Sequence, residues 1–255
     1  MSRGVAAISG AASGVGAAAV TALADAGFAI VGVDLAERPG GFDDVERLVW
    51  VRGDVSSPET WESAEAACTA IDPHGASAFV ACAADVVVHP LLETPAEDWR
   101  RLFDINVVGV VLGMQALMPA MVERRRGAVA VTCSVNSMFV ESDIGAYSAS
   151  KAALLSVART AALEHARHGV RVNAVCPAVV DTPLLNRHLD SLPDPEEARL
   201  ALRRSIPSGE IMSPEEVAAV IRFLVSEEAS GLSGSAVVAD GGVTTTYGFS
   251  GGLEA

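Results

Sequence analysis

The chain has 255 residues, half of them hydrophobic, with a formal net charge of −14 and a pI near 4.7. So acidic a surface repels polyphosphate and argues against a nucleic-acid partner. No run approaches the roughly 18 consecutive apolar residues of a membrane span. Cys68, Cys82, Cys133 and Cys176 form no C-x-x-C pair, so neither a zinc site nor a disulfide framework is expected, and no metal. The start, Met1-Ser2-Arg3-Gly4, has no signal-like apolar stretch, and the chain reads as cytoplasmic.

Short apolar runs alternate with longer helical patterns. The spacing predicts a strand at Val5 to Ser9, a Gly-rich turn, and an Ala-rich helix to about Ala26. Strands follow at Phe28 to Val33 and Leu48 to Val51, then a helix from Pro58 to Ala70 and a strand from Ala78 to Cys82. A long helix is expected over Ala96 to Glu123, bent near Gly109 and Gly113. It leads to a strand at Ala128 to Cys133, a helix from Ala146 to His168 and a strand at Val170 to Val175. The Pro-containing stretch Cys176 to Ser213 predicts short helices over a loop. A helix at Glu215 to Glu227 and a strand at Ala236 to Ala239 complete the pattern. Continuous apolar strands between helices imply a parallel sheet covered on both faces. No linker or composition break divides the chain.

Ser9-Gly10-Ala11-Ala12-Ser13-Gly14-Val15-Gly16 sits between the first strand and the first helix. Glycines there permit a sharp turn and let a pyrophosphate approach the backbone, while the helix N-terminus offers free N–H groups. Taken alone, such a turn can also be a flexible connection. Asp34 narrows the choice, because it follows the second strand directly, 18 residues beyond Gly16. An acidic residue at that distance bonds the adenosine ribose hydroxyls of a dinucleotide. Its carboxylate would repel a 2′-phosphate, and neither Leu35, Ala36 nor Ser13 supplies a compensating cation, so NAD (NADH) is expected over NADP.

Tyr147 and Lys151 are spaced i, i+4, which places them on one helix face. A free tyrosine titrates near about 10, too high for a base at neutral pH, and a neighbouring ammonium favours the phenolate. Ser134 lies 13 residues before Tyr147, at the carboxyl end of the fifth strand, where open α/β sheets bind ligands. Asn106 falls inside the long helix, an unfavourable place for asparagine unless its amide has a task.

The ordered set Gly10-x-x-x-Gly14-x-Gly16, Asp34, Asp54-Val55, Asn106, Ser134, Tyr147-x-x-x-Lys151, Asn173-Ala174-Val175-Cys176-Pro177 and Asp240-Gly241-Gly242 resembles the short-chain dehydrogenase/reductase family, in its compact single-domain branch. The resemblance covers essentially the whole chain. It implies one α/β domain over residues 1–255, a Rossmann-like doubly wound parallel sheet of about seven strands with helices on both faces. A substrate loop is implied at about 179–207. The implied reaction is hydride transfer between a nicotinamide cofactor and a secondary alcohol or ketone. Tyr147 would be the general acid/base and Lys151 the cation that favours its ionised form and binds the nicotinamide ribose. Ser134 would orient the substrate oxygen, and Asn106 would hold a water in a proton relay. The cofactor would rest on Gly10, Ser13, Gly14, Val15 and Gly16, with Asp34 and Leu35 at the ribose and Asp54 and Val55 beside the adenine. Ala83 and Ala84 would lie along the adenosine, and Pro177, Val180 and Thr182 would meet the nicotinamide. A small-molecule substrate and a homotetramer or homodimer, packed through the long helix and the Tyr147 helix, are also implied.

Substrate contacts are expected from Ser134, Asn136, Met138, Tyr147, Leu184 and His188. Their neighbours Val135, Phe139, Leu185 and Leu189 are apolar, which suits an alicyclic, aromatic or acyl ketone better than a sugar. His165, His168 and Arg124-Arg125-Arg126 read as cationic helix ends that complement the dipole. The apolar tail, Val243 to Leu253, is expected to cover a neighbouring subunit or its own pocket. Two competing readings stand beside the dehydrogenase. A sugar-nucleotide epimerase or dehydratase shares Tyr-x-x-x-Lys but needs a larger C-terminal substrate domain. A non-catalytic dinucleotide sensor or scaffold would keep the fold without the chemistry.

Two departures from the family pattern bear on the cofactor. Ala81-Cys82-Ala83-Ala84 stands where the family usually has Asn-Asn-Ala-Gly, and Pro177-Ala178 where it has Pro-Gly. The Asn side chains that would tie neighbouring strands are missing, and the Ala84 methyl crowds the adenosine side. Weaker NADH binding than is usual for such proteins is therefore expected in a calorimetric titration; a submicromolar Kd would overturn it.

Overall fold

A computed structural model describes residues 4–190 and 192–245. Among the described residues seven strands form one sheet: β1 (Val5–Ser9), β2 (Ala29–Asp34), β3 (Leu48–Arg52), β4 (Ala76–Ala81), β5 (Gly127–Thr132), β6 (Val170–Pro177) and β7 (Ala236–Ala239). Their order across the sheet is β3-β2-β1-β4-β5-β6-β7, and every neighbouring pair is parallel. The order reverses between β1 and β4, which is where a doubly wound sheet opens a crevice at its carboxyl edge.

The helices are α1 (Gly14–Asp25), α2 (Pro58–Ile71), α3 (Ala96–Phe103), α4 (Gly109–Glu123), α5 (Gly145–His165), α6 (Pro183–Asp190), α7 (Pro195–Ser205) and α8 (Pro214–Val225). Side chains alternate across a strand, and here both faces are buried. Val5 and Ala7 of β1 join a core with Trp61 of α2, Met114 and Leu117 of α4 and Leu154 of α5. Ala6 and Ile8 face the other way, into a core with Val20 and Leu23 of α1 and Val217 and Ile221 of α8. That double burial is why the strands read as continuous apolar runs.

The long helix departs from expectation in one respect. Ala96–Glu123 is continuous, but its irregularity lies before Gly109, as a π turn at Asp104–Val108. Gly113 marks close packing instead of a bend, since a Cβ there would meet the Phe79 ring at 2.6 Å. With a mean hydropathy of 1.8 this helix is long and apolar enough to cross a membrane. Its apolar side chains Val110, Met114, Leu117, Met118 and Met121 are buried in the core that also holds Phe79 of β4.

α8 begins with a reciprocal cap, in which the Ser213 side chain accepts from Glu216 N and Glu216 accepts from Ser213 N. α6 and α7 stand over the carboxyl edge with little anchorage. Leu189 is the one buried residue of α6, and α7 has none. Arg199 of α7 reaches Asp181 at 3.5 Å and hydrogen-bonds the Asn186 side chain. Of the tail Val243 to Leu253, the residues after 245 lie outside the described ones.

Candidate active site

The Gly-rich turn is shaped by close backbone approach. Gly10 has φ +68°, and a Cβ there would lie 2.7 Å from Ala83 N; a Cβ on Gly16 would lie 2.0 Å from the Gly10 carbonyl oxygen. Only glycine fits either position. α1 then starts at Gly14 with no side-chain cap from Ser13, so its first-turn N–H groups face the turn without a side-chain acceptor. This is the arrangement that receives a pyrophosphate. Asp34, at the end of β2, accepts hydrogen bonds from Ala12 N and Ala36 N, both at 2.9 Å. Its carboxylate is thereby fixed beside the turn. Thr182, which bonds Leu185 N at the start of α6, comes close to Gly14 from the other side.

The β4 exit is held without the missing asparagines. Ser9 Oγ accepts from Cys82 N at 3.2 Å and from Ala83 N at 3.3 Å, tying β1 to the exit. Cys82 Sγ meets Thr132 Oγ1 of β5 at 3.2 Å. Desolvation pushes the Cys82 thiol up to about 11, against smaller opposing effects of the Thr132 hydroxyl and the Lys151 charge. At neutral pH it therefore keeps its proton and can donate to Thr132. A small Ser–Cys–Thr set thus does the strand-tying work expected of asparagine.

Asn106 sits in the π turn and is fully buried. Its Oδ1 accepts from Asp85 N at 2.8 Å, and its Nδ2 donates to Asp85 O at 2.9 Å and to Ser150 Oγ at 3.0 Å. Ser150 donates in turn to the Tyr147 carbonyl at 2.7 Å. A π turn inserts an extra residue into the helix and re-aims side chains, which explains its recurrence at functional sites. Asp85, whose backbone Asn106 clamps, also pairs with Arg101, and Arg101 reaches Asp98 at 3.1 Å.

Tyr147 and Lys151 lie on the first turns of α5. The Lys151 ammonium is 5.7 Å from the Tyr147 ring centroid and donates to Thr132 O at 2.8 Å. The residue is only 2% exposed. Ser134 follows β5 and caps the short turn Val135–Ser137, which α5 packs against. Its Oγ accepts from Asn136 N at 3.1 Å and reaches Asn136 Oδ1 at 3.1 Å and Pro177 O at 3.5 Å.

The other residues singled out in the sequence are more scattered. Asp54 accepts from Ser56 N and Ser56 Oγ, while Val55 is buried and its carbonyl takes the Trp61 indole N–H. Leu35 is 67% exposed beyond Asp34. Val180 bridges to Met212. Met138 is exposed with Phe139 and Val140, whereas Leu184 and His188 are half-buried on α6. Leu189, expected with the apolar pocket residues, is buried. The sequence assigns no role to the side chains of Ser9, Thr132 and Ser150. Ser150 stands inside Tyr147-Ser148-Ala149-Ser150-Lys151, and its burial was the signal a helical wheel could have shown.

Comparison with known proteins gives the arrangement a family. The profile described as Enoyl-(Acyl carrier protein) reductase matches residues 10–244. The cis-4-hydroxycyclohexanecarboxylate dehydrogenase of Sinomonas cyclohexanicum is 36% identical over 252 residues, 94% of this chain and 96% of that protein. The chain belongs to the short-chain dehydrogenase/reductase family. The cyclopentanol dehydrogenase of a Comamonas strain is 31% identical, covering 93% of this chain and 95% of its own length. A crystal structure of levodione reductase superimposes with a TM-score of 0.91 at 26% identity, covering 97% of this chain and all of that one. Membership makes this dehydrogenase/reductase an oxidoreductase that uses a nicotinamide dinucleotide on a small molecule.

Asn106→Ala removes the partner of two backbone groups and a hydroxyl in a buried setting. We expect a loss of about 2–4 kcal/mol in urea unfolding, together with a fall in turnover of at least tenfold.

Proposed function

We propose that the chain is an NAD-preferring dehydrogenase that interconverts a secondary alcohol and its ketone on a largely apolar substrate. The observation that carries this reading is the buried Lys151 ammonium beside the Tyr147 ring, on a helix packed against the short turn that Ser134 caps. In this reading Ser134 Oγ and the Tyr147 hydroxyl hold the substrate oxygen. During oxidation Tyr147 takes the hydroxyl proton, and Lys151 favours the phenolate that does so. Asn106 keeps the β4 exit and α5 in register and supports a water relay towards Lys151. Reduction runs the same proton path backwards. The bound nicotinamide supplies the hydride chemistry. Positioning and electrostatics are the protein's share.

The turn residues Gly10, Ser13, Gly14, Val15 and Gly16 would hold the pyrophosphate, and Asp34 with Leu35 the adenosine ribose. Asp54, Val55, Ala83 and Ala84 would border the adenosine, and Pro177, Val180 and Thr182 the nicotinamide. Asn136, Met138, Leu184 and His188 would border the substrate. One domain with a lid at about 179–207 fits this assignment. So does a homodimer or homotetramer built on α4 and α5, where Leu163 of α5 is 81% exposed. A cytoplasmic location completes the reading. The names cyclopentanol dehydrogenase and cis-4-hydroxycyclohexanecarboxylate dehydrogenase specify hydroxylated rings, so alicyclic alcohols head the list of substrates to try.

The fixed Asp34 carboxylate would meet a 2′-phosphate with like charge. We expect kcat/KM to be at least tenfold higher with NAD than with NADP; the reverse order sinks the cofactor preference. Absorbance at 340 nm, followed with NAD and a panel of cyclic secondary alcohols, tests the chemistry. Turnover should appear with at least one of them and fall at least 1000-fold, by rough expectation for a lost acid/base, in Tyr147→Phe. Cofactor binding should persist in that variant. Undiminished turnover in Tyr147→Phe would remove the proposed mechanism.

A further inference from the structure

The ends of β5 and β6 carry two thiols that no step above uses. Thr132 lies opposite Val175 in parallel register, and the Cys133 N–H donates to Val175 O at 2.8 Å. The next residues on these two strand ends are Cys133 and Cys176. Alternation points both side chains to the same face, and both are buried in the core shared with α4 and α5. Both are free thiols. The paired register ends one residue before them, at Thr132 and Val175, and strands so paired lie roughly 5 Å apart, inside the roughly 4.4–6.8 Å between Cα atoms that a disulfide spans. The other two cysteines are placed elsewhere. Cys82 turns to the opposite side of the sheet, against Thr132, and Cys68 lies on α2.

We propose that Cys133 and Cys176 are a redox-sensitive dithiol whose closure to a disulfide disables the neighbouring catalytic centre. The Cys133 sulfur, next in the chain to Ser134, is the first nucleophile. The Cys176 thiol beside it holds the Cys133 thiol below the ordinary cysteine range against the opposing effect of burial, and the Lys151 and Arg159 charges act in the lowering direction. The oxidant is hydrogen peroxide, a small neutral molecule. The Cys133 thiolate attacks one peroxide oxygen, the O–O bond breaks, and hydroxide leaves with a proton as water. The Cys176 sulfur then attacks the sulfenic sulfur, the S–O bond breaks and a second water leaves. Two thiols lose two electrons and two protons, and one peroxide becomes two waters. Neighbouring strands lie roughly 4.8 Å apart, whereas the Cβ atoms of a disulfide approach to roughly 3.5–4.5 Å, so closure draws the two strand ends slightly together. One end carries Ser134 and the other Pro177, whose carbonyl Ser134 Oγ reaches at 3.5 Å.

Trypsin separates the thiols usefully. Peptide 127–151 holds Cys133, peptide 172–187 holds Cys176, and peptide 53–100 holds both Cys68 and Cys82. The full-length protein is treated with hydrogen peroxide, alkylated without reductant, digested and mapped by mass spectrometry, and turnover is read in parallel. We expect a cross-linked 127–151/172–187 pair and a fall in turnover of at least tenfold, both reversed by dithiothreitol. Cys82→Ser should cross-link like the wild type. Cys176→Ser, or Cys133→Ala if the first fails to fold, should show no dithiothreitol-reversible loss. A map without that pair, or cross-linking with unchanged turnover, overturns the switch. The activity arm rests on the proposed function and the peptide map does not. Were the untreated protein to show no turnover, NADH binding before and after oxidation would take its place, and unchanged binding would count against the switch.

Discussion

Asn106 makes three hydrogen bonds to the protein with its side-chain amide, and the geometry of the carboxyl edge follows from that. A buried amide must find partners, because an unpaired one costs as much as a hydrogen bond contributes and more. Here the partners belong to two different elements. Asp85 N and O come from the β4 exit, and Ser150 Oγ comes from α5. Three bonds therefore fix the distance between the strand end beside the crevice and the helix that carries Tyr147 and Lys151. The π turn is the local condition for this. In a regular helix the same residue would point along a different direction, and the extra residue at Asp104–Val108 turns it inwards. The Asp85–Arg101 pair outside the clamp is partly exposed and adds little by comparison.

The second constraint is the crowding around Gly10. Ala83 passes so near that a side chain on Gly10 has no room, and Gly16 presses on the Gly10 carbonyl in the same way. Such an approach needs the β4 exit to be anchored. Ser9 does this from β1 through two backbone N–H groups, and the Cys82–Thr132 contact continues the tie to β5. This set joins β1, the β4 exit and β5 through contacts of 3.2 to 3.3 Å.

The sheet was legible because its strands are buried on both faces. Val5 to Ser9 and Ala236 to Ala239 coincide with β1 and β7, and the others differ by a residue or two at their ends. The order of the site residues along the chain was legible too, since each stands at a strand end or helix start marked by glycine, serine or a charged residue. Three features were hard to read from the sequence. A one-residue expansion of a helix changes no composition, so the bend was assigned to Gly109 and Gly113, which instead serve close packing. Ser9 and Ser150 look like ordinary polar residues until the strand or helix facing them is known. The adjacency of Cys133 and Cys176 depends on the register of two strands some forty residues apart in sequence, and register is not written in either strand alone.

Anchorage is unevenly distributed around the carboxyl edge, and the division matches what each part must do. The groups that would handle protons sit on β5, α5 and the π turn, all of them backed by the core beneath α4 and α5. The helices above them are different. Across α6 and α7 a single buried leucine, Leu189, meets the interior, and Arg199 joins the two helices and the β6 exit through groups that water reaches. Exposed pairs of that kind contribute at most about 1 kcal/mol. A segment with so few buried contacts opens at lower free energy than the sheet beneath it. Under the proposed function, opening there would admit a substrate without disturbing Asn106 and its clamp, and the lid and the proton-handling groups would be separate pieces of the same edge.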